Sequence, residues 1–475
     1  MRLASICFAA SFCLGACQIP AGSVVQSPGS TNVVEVSTPE DRDAIGIDAR
    51  LRSLAAEVSE SSQRRFIEKM VSFGTRHTLS DTFSTTRGVG AARRWVEAEF
   101  RTMSAACGDC LEIATPTDTF TAPRMPTPTP VGIVMAIQKG TTDPNRVIII
   151  SGHLDSRVSD VQNATADAPG ANDDASGVAA VMEAARILSK HQFDATLVFA
   201  ALTGEEQGLY GGKVLADYAK AKGWKVEAVL NNDIIGNIHG SSGVVADRHV
   251  RIFTEGVRSL ETQQMAAARQ STGGEVDSPS RNLARFIDAI AERHLDAFDV
   301  MMVYRRDRFG RGGDQVRMLE AGFPSVRVTE AAENYTRQHQ DLRTEDGVVY
   351  GDTIDGVDFP YLARVTRLNI MTMAALASAP PPPLEVRIEG AVSPDTKVSW
   401  TPVPGAELYV VHWRATTEPV WTNSTTFGRN ETSGALPGVV IDDWFFGVST
   451  VGPGGYASPV QYAGIVGAFF PPVTD

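Results

Sequence analysis

Residues 147–150 read Val-Ile-Ile-Ile and lead directly into Ser-Gly-His-Leu-Asp. An unbroken β-branched run of this kind predicts a strand that is buried on both faces, as at the centre of a parallel sheet. His153 and Asp155 stand immediately after the run, and Asp173 and Asp174 follow in a loop that precedes a helix-like stretch. Polar side chains at the carboxyl end of a parallel strand lie where open α/β sheets bind their ligands.

From this strand onward, strand-like and helix-like segments alternate. The expected strands are residues 147–150, 196–202, 226–232, 298–304 and 325–329, and the expected helices are residues 178–188, 212–222, 280–294, 314–321 and 360–379. Upstream we expect helices at 47–70 and 91–103, a first strand pair at 111–121 and 132–139, and a turn-rich connection at 123–130. This alternation predicts a three-layer α/β/α domain with a mostly parallel mixed sheet, which we place at residues 44–379.

The pattern changes after four consecutive prolines at 380–383, which predict a stiff linker. Residues 384–465 contain short alternating strands between Gly/Pro turns, and 466–475 form a tail. This pattern predicts an all-β sandwich. The segment resembles a fibronectin type III domain, with Trp400 and Tyr409 at the aromatic core positions of that family.

The first 17 residues carry one Arg, a short apolar core and the ending Leu-Gly-Ala-Cys. The apolar core is too short to span a membrane and predicts a secretory signal peptide. Its ending resembles the bacterial lipoprotein box, which implies lipidation of Cys17; a plain signal peptide is the alternative. Residues 18–43, rich in Ser, Pro, Thr and Val, predict a flexible tether. We therefore expect an exported protein, attached to a bacterial cell envelope through its lipid or secreted.

The net charge and the cysteine content limit the kinds of partner and of cysteine site that we expect. The formal net charge of −13 argues against a nucleic-acid partner, because nothing would offset phosphate repulsion. Cys107 and Cys110 could form a local disulfide, half of a zinc site or a redox centre. No second cysteine pair completes a structural zinc site, and no thioredoxin-like βαβ pattern surrounds the pair, so we favour a small disulfide.

Side chains that can bind a metal follow each central strand of the predicted α/β domain. They are His153 and Asp155, Asp173, Glu205 and Glu206, Asp233 and, on a later polar loop, His339. Carboxylates and imidazoles without thiolates suit zinc, with cobalt or manganese as substitutes. A carboxylate that bridged two ions would build a two-metal site that activates a shared water. Taken alone, each acidic pair is more typical of a helix start, but their ordered combination favours ligands.

This set resembles the family-twenty-eight metallopeptidases of clan MH over residues 47–379. The motifs are His-Leu-Asp at 153–155, Asn-Asp-Asp-Ala-Ser-Gly at 172–177, Gly-Glu-Glu-x-Gly at 204–208, Asn-Asp at 232–233 and the late His339. Members of that family include co-catalytic di-zinc aminopeptidases, so the resemblance implies peptide substrates and two zinc ions per chain.

The resemblance also implies a role for each residue of the set. His153 and Asp233 would bind one zinc, Glu206 and His339 the other, and Asp173 would bridge them. Glu205 would act as the general base, and Asp155 would orient the His153 imidazole.

The sequence departs from the family pattern next to the final histidine. Gln338 stands where the family often has a tyrosine that stabilises the oxyanion. Tyr335, Tyr304 and Arg311 are our candidates for that role. We expect Asp314 to be structural or to lie behind the metal ligands, and Asp174 to start a helix.

The expected function is a zinc-dependent exopeptidase, in the first place an aminopeptidase. A glutaminyl cyclase-like transferase shares the fold but works with a single zinc, and the presence of His153, Asp173 and Asp233 argues against it. Family-twenty metallopeptidases have a similar motif order, yet the segment before His339 is too short for their dimerisation lid. A non-catalytic, surface-anchored binding protein is the alternative from a different class. The residue preference, the free end of the substrate and the oligomeric state stay open.

Overall fold

The structure is a computed structural model that describes residues 47–470, all of which belong to one compact unit. The predicted signal peptide at 1–17, the tether at 18–43 and the end of the tail at 471–475 lie outside the described residues. Within the described part of the chain, no helix has the length and apolar character needed to cross a membrane.

Helices and strands alternate through the first part of the chain, and strands dominate the last part. The helices are α1 (Ile47–Ala56), α2 (Glu60–Val71), α3 (Gly88–Ala106), α4 (Ala175–Leu188), α5 (Tyr210–Ala221), α6 (Gln263–Thr272), α7 (Pro279–His294), α8 (Gln315–Glu320) and α9 (Phe359–Ser378). The strands are β1 (Glu112–Ala114), β2 (Thr117–Ala122), β3 (Met125–Gly132), β4 (Val134–Gln138), β5 (Asp143–His153), β6 (Ala195–Leu202), β7 (Lys225–Asn232), β8 (His249–Thr254), β9 (Asp299–Val303), β10 (Ser325–Glu330), β11 (Arg343–Glu345), β12 (Val348–Tyr350), β13 (Arg387–Glu389), β14 (Thr396–Ser399), β15 (Leu408–Ala415), β16 (Asn423–Gly428), β17 (Ser433–Leu436), β18 (Trp444–Val451) and β19 (Gln461–Tyr462).

An eight-stranded mixed sheet organises the α/β part, in the order β1-β4-β6-β5-β7-β10-β8-β9. The four central strands, β6, β5, β7 and β10, run parallel to one another. β8 pairs parallel with β9, whereas the remaining neighbours are antiparallel. The predicted mixed α/β sheet is therefore confirmed, and its parallel centre places four strand ends at one edge.

Helices cover both faces of this sheet. Ile148 and Ile150 of β5 pack into a core that includes α1, α2, α3, α4, α7 and α9. The alternate residues Val147 and Ile149 pack into a second core that includes α5, α8 and β3. Because successive side chains of a strand point to opposite faces, a strand covered on both sides must be apolar throughout. That requirement explains the unbroken β-branched run.

Two sequence predictions in the amino-terminal part are wrong. Residues 47–70 form two helices rather than one, because Ser59 begins α2 and its side chain accepts a hydrogen bond from the Ser62 amide at 3.3 Å. The Pro-rich residues 123–130 do not form a turn-rich connection, since most of them lie in β3, which pairs with β2 in a separate hairpin. The prolines at 126, 128 and 130 alternate, so the edge of β3 that lacks N–H groups faces away from β2.

The carboxyl-terminal strands form two small antiparallel sheets around a shared apolar core. The sheets have the orders β13-β14-β17 and β16-β15-β18-β19. Trp400 and Tyr409 lie in this core with their ring centroids 5.3 Å apart, and the Tyr409 hydroxyl accepts a hydrogen bond from the Val403 amide. The resemblance to a fibronectin type III domain stays a prediction.

A buried ion cluster joins this β-rich part to the α/β part. Arg414 on β15 donates to both carboxylate oxygens of Asp277 at 2.7 Å, and both side chains are fully buried. Arg285 on α7 also pairs with Asp277, at 3.0 Å. Because unpaired charges are costly in such an interior, this cluster links the folding of the two parts. Elsewhere, Cys107 and Cys110 form a disulfide after α3.

Candidate metal centre

The central strands bring their polar ends to one edge of the sheet. His153 is the last residue of β5 and lies opposite Leu202, the last residue of β6. Glu205 and Glu206 therefore follow β6 close to His153, and Asp233 directly follows β7, which pairs with β5 on its other side. This alignment of parallel strand ends concentrates residues that are distant in sequence.

Two groups of potential metal ligands result, and they share Asp173. One group comprises His153, Asp173 and Asp233, and the other comprises Asp173, Glu206 and His339. Within each group, the ligand atoms all lie within 4.8 Å of one another.

The two oxygens of Asp173 face different groups. Oδ1 lies 3.1 Å from His153 Nε2, whereas Oδ2 lies 2.9 Å from His339 Nε2. His153 Nε2 is also 3.7 Å from Asp233 Oδ1, and His339 Nε2 is 3.0 Å from Glu206 Oε1. The Asp173 carboxylate is thus placed between two sets of nitrogen and oxygen atoms that each converge on one point.

The electrostatics of the centre favour cations. Despite burial, Glu206 and Asp173 raise the pKa of His339 to about 10, and carboxylates raise the pKa of His153 well above its usual range. Glu206 Oε1 is a buried oxygen that accepts no hydrogen bond, although His339 Nε2 is close to it. The centre therefore brings together buried carboxylates and imidazoles, one of whose oxygen atoms lacks a hydrogen bond. Zinc binds three or four ligands of these types, so the residues fit a zinc site.

Asp174 holds the strand ends in place without belonging to either group. Its carboxylate accepts hydrogen bonds from the amides of His153, Gly177 and Ile234, at 2.9 to 3.1 Å. Ile234 has a φ of +62°, a conformation that β-branched residues rarely adopt. Asp174 also precedes α4 as its N-cap residue, and the peptide bond between Asp173 and Asp174 is cis.

A second carboxylate supports the bridging residue from behind. Asp352 accepts hydrogen bonds from the backbone amides of Asn172 and Asp173, at 3.0 and 2.7 Å. The Asn172 side chain in turn donates to Glu330, which is buried at the end of β10. These contacts fix the turn that carries Asp173.

Both the backbone and the carboxylate of Asp155 lie beside the His153 imidazole. The His153 Nδ1 atom lies 3.0 Å from the backbone carbonyl oxygen of Asp155, but 3.6 Å from its carboxylate. The Asp155 carboxylate instead accepts hydrogen bonds from Thr78 and from the Glu206 amide. The backbone carbonyl makes the closer contact with the imidazole, and the carboxylate also ties the end of β5 to the Glu206 turn. The orienting role of Asp155 stays a prediction.

Two arginines contact the ligand groups, and sequence reasoning missed both. Arg327 on β10 is fully buried and lies 2.5 Å from Asp233 Oδ2; despite burial, its charge helps lower the pKa of Asp233 to about 2. Arg157 lies 2.8 Å from Glu206 Oε2 and 2.6 Å from His339 Nδ1. A lone arginine within the apolar strand Ser-Val-Arg-Val-Thr was the only available signal for Arg327.

Glu205 is half-buried beside the two groups and belongs to neither. It forms no ion pair within the described residues, and burial raises its pKa well above the usual range. It lines a cavity of about 650 Å³ together with His153, Asp173, Glu206, Asp233 and His339. A free carboxylate in this position can accept a proton from a reacting group.

The three oxyanion candidates lie in different places. Tyr335 and Arg311 line the cavity, whereas Tyr304 is not among its lining residues and packs against Arg281. Gln338 donates a hydrogen bond to Asp173 Oδ2 at 3.2 Å. Asp314 is buried and accepts a hydrogen bond from the Gly212 amide at 2.8 Å, so it supports the start of α5.

Comparisons with known proteins point to the same chemistry. The family pattern described as Peptidase family M28 matches residues 133–351. A probable zinc metalloprotease from Pyrenophora teres f. teres is 42% identical over 426 residues, which is 87% of this chain and 87% of that protein. Another from Pyricularia oryzae is 44% identical and covers 87% of this chain and 84% of its own. The solved structure of LapB from Legionella pneumophila has a TM-score of 0.51 and 17% identity, with 72% of this chain and 78% of that chain covered, and shares the fold.

Proposed function

Because this chain belongs to peptidase family M28 and is a zinc metalloprotease, we propose that it is a two-zinc aminopeptidase that removes residues from the amino terminus of peptides. The observation that carries the proposal is the position of Asp173, whose two carboxylate oxygens each face a separate ligand group. A single-zinc site needs only one such group.

The chain's own residues divide into two ligand sets in this proposal. His153 and Asp233 would hold one zinc, Glu206 and His339 would hold the other, and Asp173 would belong to both. When bound, the zinc ions supply Lewis acidity that activates a water molecule and polarises the scissile carbonyl. The supporting contacts from Asp174 and Arg327 hold the ligands before any substrate arrives.

Glu205 acts as the general base. Its carboxylate accepts a proton from the attacking water and returns that proton to the leaving amine, so the base is regenerated in each cycle. The carboxylate is free of ion pairs within the described residues and faces the same cavity as the ligands, which supports this role. The tetrahedral oxyanion is stabilised by Tyr335, which lines the cavity and is exposed.

The cavity of about 650 Å³ falls within the size range of pockets that bind small ligands. The resemblance of the ligand set to co-catalytic di-zinc aminopeptidases supports action on chain ends. We therefore favour an exopeptidase, and among exopeptidases an aminopeptidase.

The test combines zinc analysis with matched peptides. One peptide has a free amino terminus and an amidated carboxyl terminus, and its partner has an acetylated amino terminus and a free carboxyl terminus. We expect two zinc ions per chain and release of residues from the first peptide alone. In Asp173→Asn, zinc content and turnover should both fall, whereas the exposed control Asp118→Asn should match the wild type. One zinc ion per chain with full activity, or cleavage of the second peptide alone, would overturn the proposal.

We also propose export with lipidation at Cys17, which the ending Leu-Gly-Ala-Cys supports. The disulfide between Cys107 and Cys110 is compatible with an oxidising compartment. Expression in bacteria with a radiolabelled fatty acid should label the wild type and leave Cys17→Ser unlabelled. Equal labelling of both proteins, or of neither, would contradict lipidation at this residue.

A further inference from the structure

We propose that the cavity selects peptides that carry a carboxylate close to the scissile bond, and that Arg124 and Arg311 bind this carboxylate. The inference rests on the proposed peptidase function and gives it a substrate class. Its basis is the charge of the cavity wall, which differs from that of the chain as a whole.

Arginines supply the positive charge of the cavity wall. They are Arg124, Arg157, Arg308 and Arg311. The acidic residues of the wall are Asp173, Glu205, Glu206 and Asp233, all of which belong to the metal centre. Among the described residues, the wall has no lysine and no further acidic side chain, although the whole chain has a net charge of −13. Once zinc ions balance the ligands, the wall is left with an excess of positive charge that attracts anions.

Arg124 has a single side-chain contact within the described residues. It lies in the turn between β2 and β3, is exposed, and donates to the backbone carbonyl oxygen of Glu206 at 2.7 Å. It forms no ion pair with a carboxylate within the described residues. This single contact holds the guanidinium above the Glu206 turn and leaves its other N–H groups available to a ligand.

Arg311 pairs with one carboxylate, that of Glu333, which two other arginines also contact. Glu333 lies 2.7 Å from Arg251, 3.2 Å from Arg311 and 3.4 Å from Arg308, so three guanidiniums surround one acid. Charge-assisted hydrogen bonds of this type are about 2.7–2.9 Å long, which only the Arg251 contact achieves. The side chain of Arg311 is 36% exposed, whereas that of Arg308 is 9% exposed and also contacts Asp307. Arg311 is therefore the second arginine that can reach a substrate.

A guanidinium binds a carboxylate through paired hydrogen bonds, which gives both charge and orientation. Peptides offer this group in two ways: in an acidic side chain next to the scissile bond, or as the terminal carboxylate of a dipeptide. The chemistry at the arginines is the same in both cases. Matched peptides distinguish the acidic side chain from the terminal carboxylate.

The first measurement is kcat/KM on peptide pairs that differ by one charge. Leu-Glu-amide against Leu-Gln-amide tests a side chain after the scissile bond, and Glu-Gln-amide against Gln-Gln-amide tests one before it. Leu-Gln with a free carboxyl terminus against Leu-Gln-amide tests the terminal carboxylate. We expect at least one pair to favour the carboxylate about tenfold, as one well-placed ion pair provides. Ratios within twofold in all three pairs would overturn the proposal.

Variants assign the preference to the arginines. In Arg124→Gln and Arg311→Gln the charged-to-neutral ratio should fall toward one, and Arg311→Lys should retain part of it. The matched control is Arg387→Gln, because Arg387 is exposed in the β-rich part and should leave the ratio unchanged. A ratio that survives in the double variant Arg124→Gln/Arg311→Gln would contradict the role of these residues.

A binding measurement separates this proposal from the proposed function. Zinc-loaded Glu205→Gln is titrated with the same peptide pairs by calorimetry, which needs no turnover. A carboxylate preference in binding supports the cavity proposal even if no peptide is hydrolysed, a result that would remove only the peptidase proposal. Equal binding of charged and neutral peptides, with hydrolysis in the wild type, would remove the cavity proposal alone.

Discussion

The carboxylate of Asp174 accepts a hydrogen bond from the backbone amide of His153 at 2.9 Å, across 21 residues of sequence. The same carboxylate accepts from the Ile234 amide, next to Asp233. One side chain that is not itself a ligand candidate therefore fixes two strand ends that carry ligand candidates.

Replacing Asp174 should destabilise the ends of both β5 and β7. In Asp174→Ala, three buried amides lose their acceptor, and each unsatisfied group costs about 1–3 kcal/mol. We expect a loss of several kcal/mol in the free energy of unfolding and weaker zinc binding, measured by urea unfolding and competition with a chelator. Asp174→Asn should lose less, since its carbonyl oxygen retains part of the contacts. Wild-type stability in Asp174→Ala would contradict this role.

The buried contact between Arg327 and Asp233 gives a second prediction. Arg327→Met leaves Asp233 without its buried cation, whereas Asp307 keeps Arg308. Breaking a buried pair such as that of Arg327 and Asp233 costs about 3–5 kcal/mol. Zinc affinity should fall about 10- to 100-fold, because the partner that orients a ligand is lost. Arg327→Lys, which keeps the charge, is the matched control. A change below about 1 kcal/mol would show that the contact does not support the centre.

The junction between the two parts of the chain can be tested by a double-mutant cycle. Asp277→Asn should destabilise the protein by about 3–5 kcal/mol, because it leaves the buried Arg414 and Arg285 without their carboxylate. Arg414→Met should cost less, because Arg285 still pairs with Asp277. The double variant should lose clearly less than the sum, which urea unfolding measures. Additive losses would mean that the two side chains act independently.

Asp288 on α7 gives a pH prediction away from the metal centre. Burial, together with Glu292 and Asp299, raises its pKa to about 7 in the folded protein from 3.8. The folded protein binds the Asp288 proton more tightly than the unfolded chain does. This contribution to the free energy of unfolding is complete below pH 3.8 and is lost as the pH rises through 7. Asp288→Asn should therefore match the wild type near pH 4 and exceed it above pH 7, by on the order of 1 kcal/mol after allowance for solvent screening. Thermal unfolding at the two pH values tests this, with Asp118→Asn as control; an equal difference at both would contradict it.

The parallel centre of the fold was predictable from sequence because a strand covered on both faces must be apolar throughout. Residues that can bind a metal follow each of these strands. Because the carboxyl ends of parallel strands lie at the same edge of the sheet, their side chains are predicted to lie close together. His339 lies on an irregular loop, and only the family resemblance related it to the strand ends.

Other features depend on contacts that local patterns do not encode. The prolines of 123–130 indicate a turn by local rules, yet their alternation suits the free edge of a hairpin. The helix at Gln263–Thr272 and the strand at His249–Thr254 were not predicted from the sequence. Arg157 and Arg327 form their contacts across 49 and 94 residues of sequence, and surface arginines show the same local sequence signal.

In the proposed function, Glu205 transfers the proton in a centre that would hold two zinc ions. The most direct measurement is kcat of Glu205→Gln on an amino-terminal peptide reporter, with zinc content determined on the same sample. We predict two zinc ions per chain in both proteins and a fall in kcat of about 10²- to 10⁴-fold in the variant. Undiminished turnover in Glu205→Gln with its zinc retained would contradict this role of Glu205.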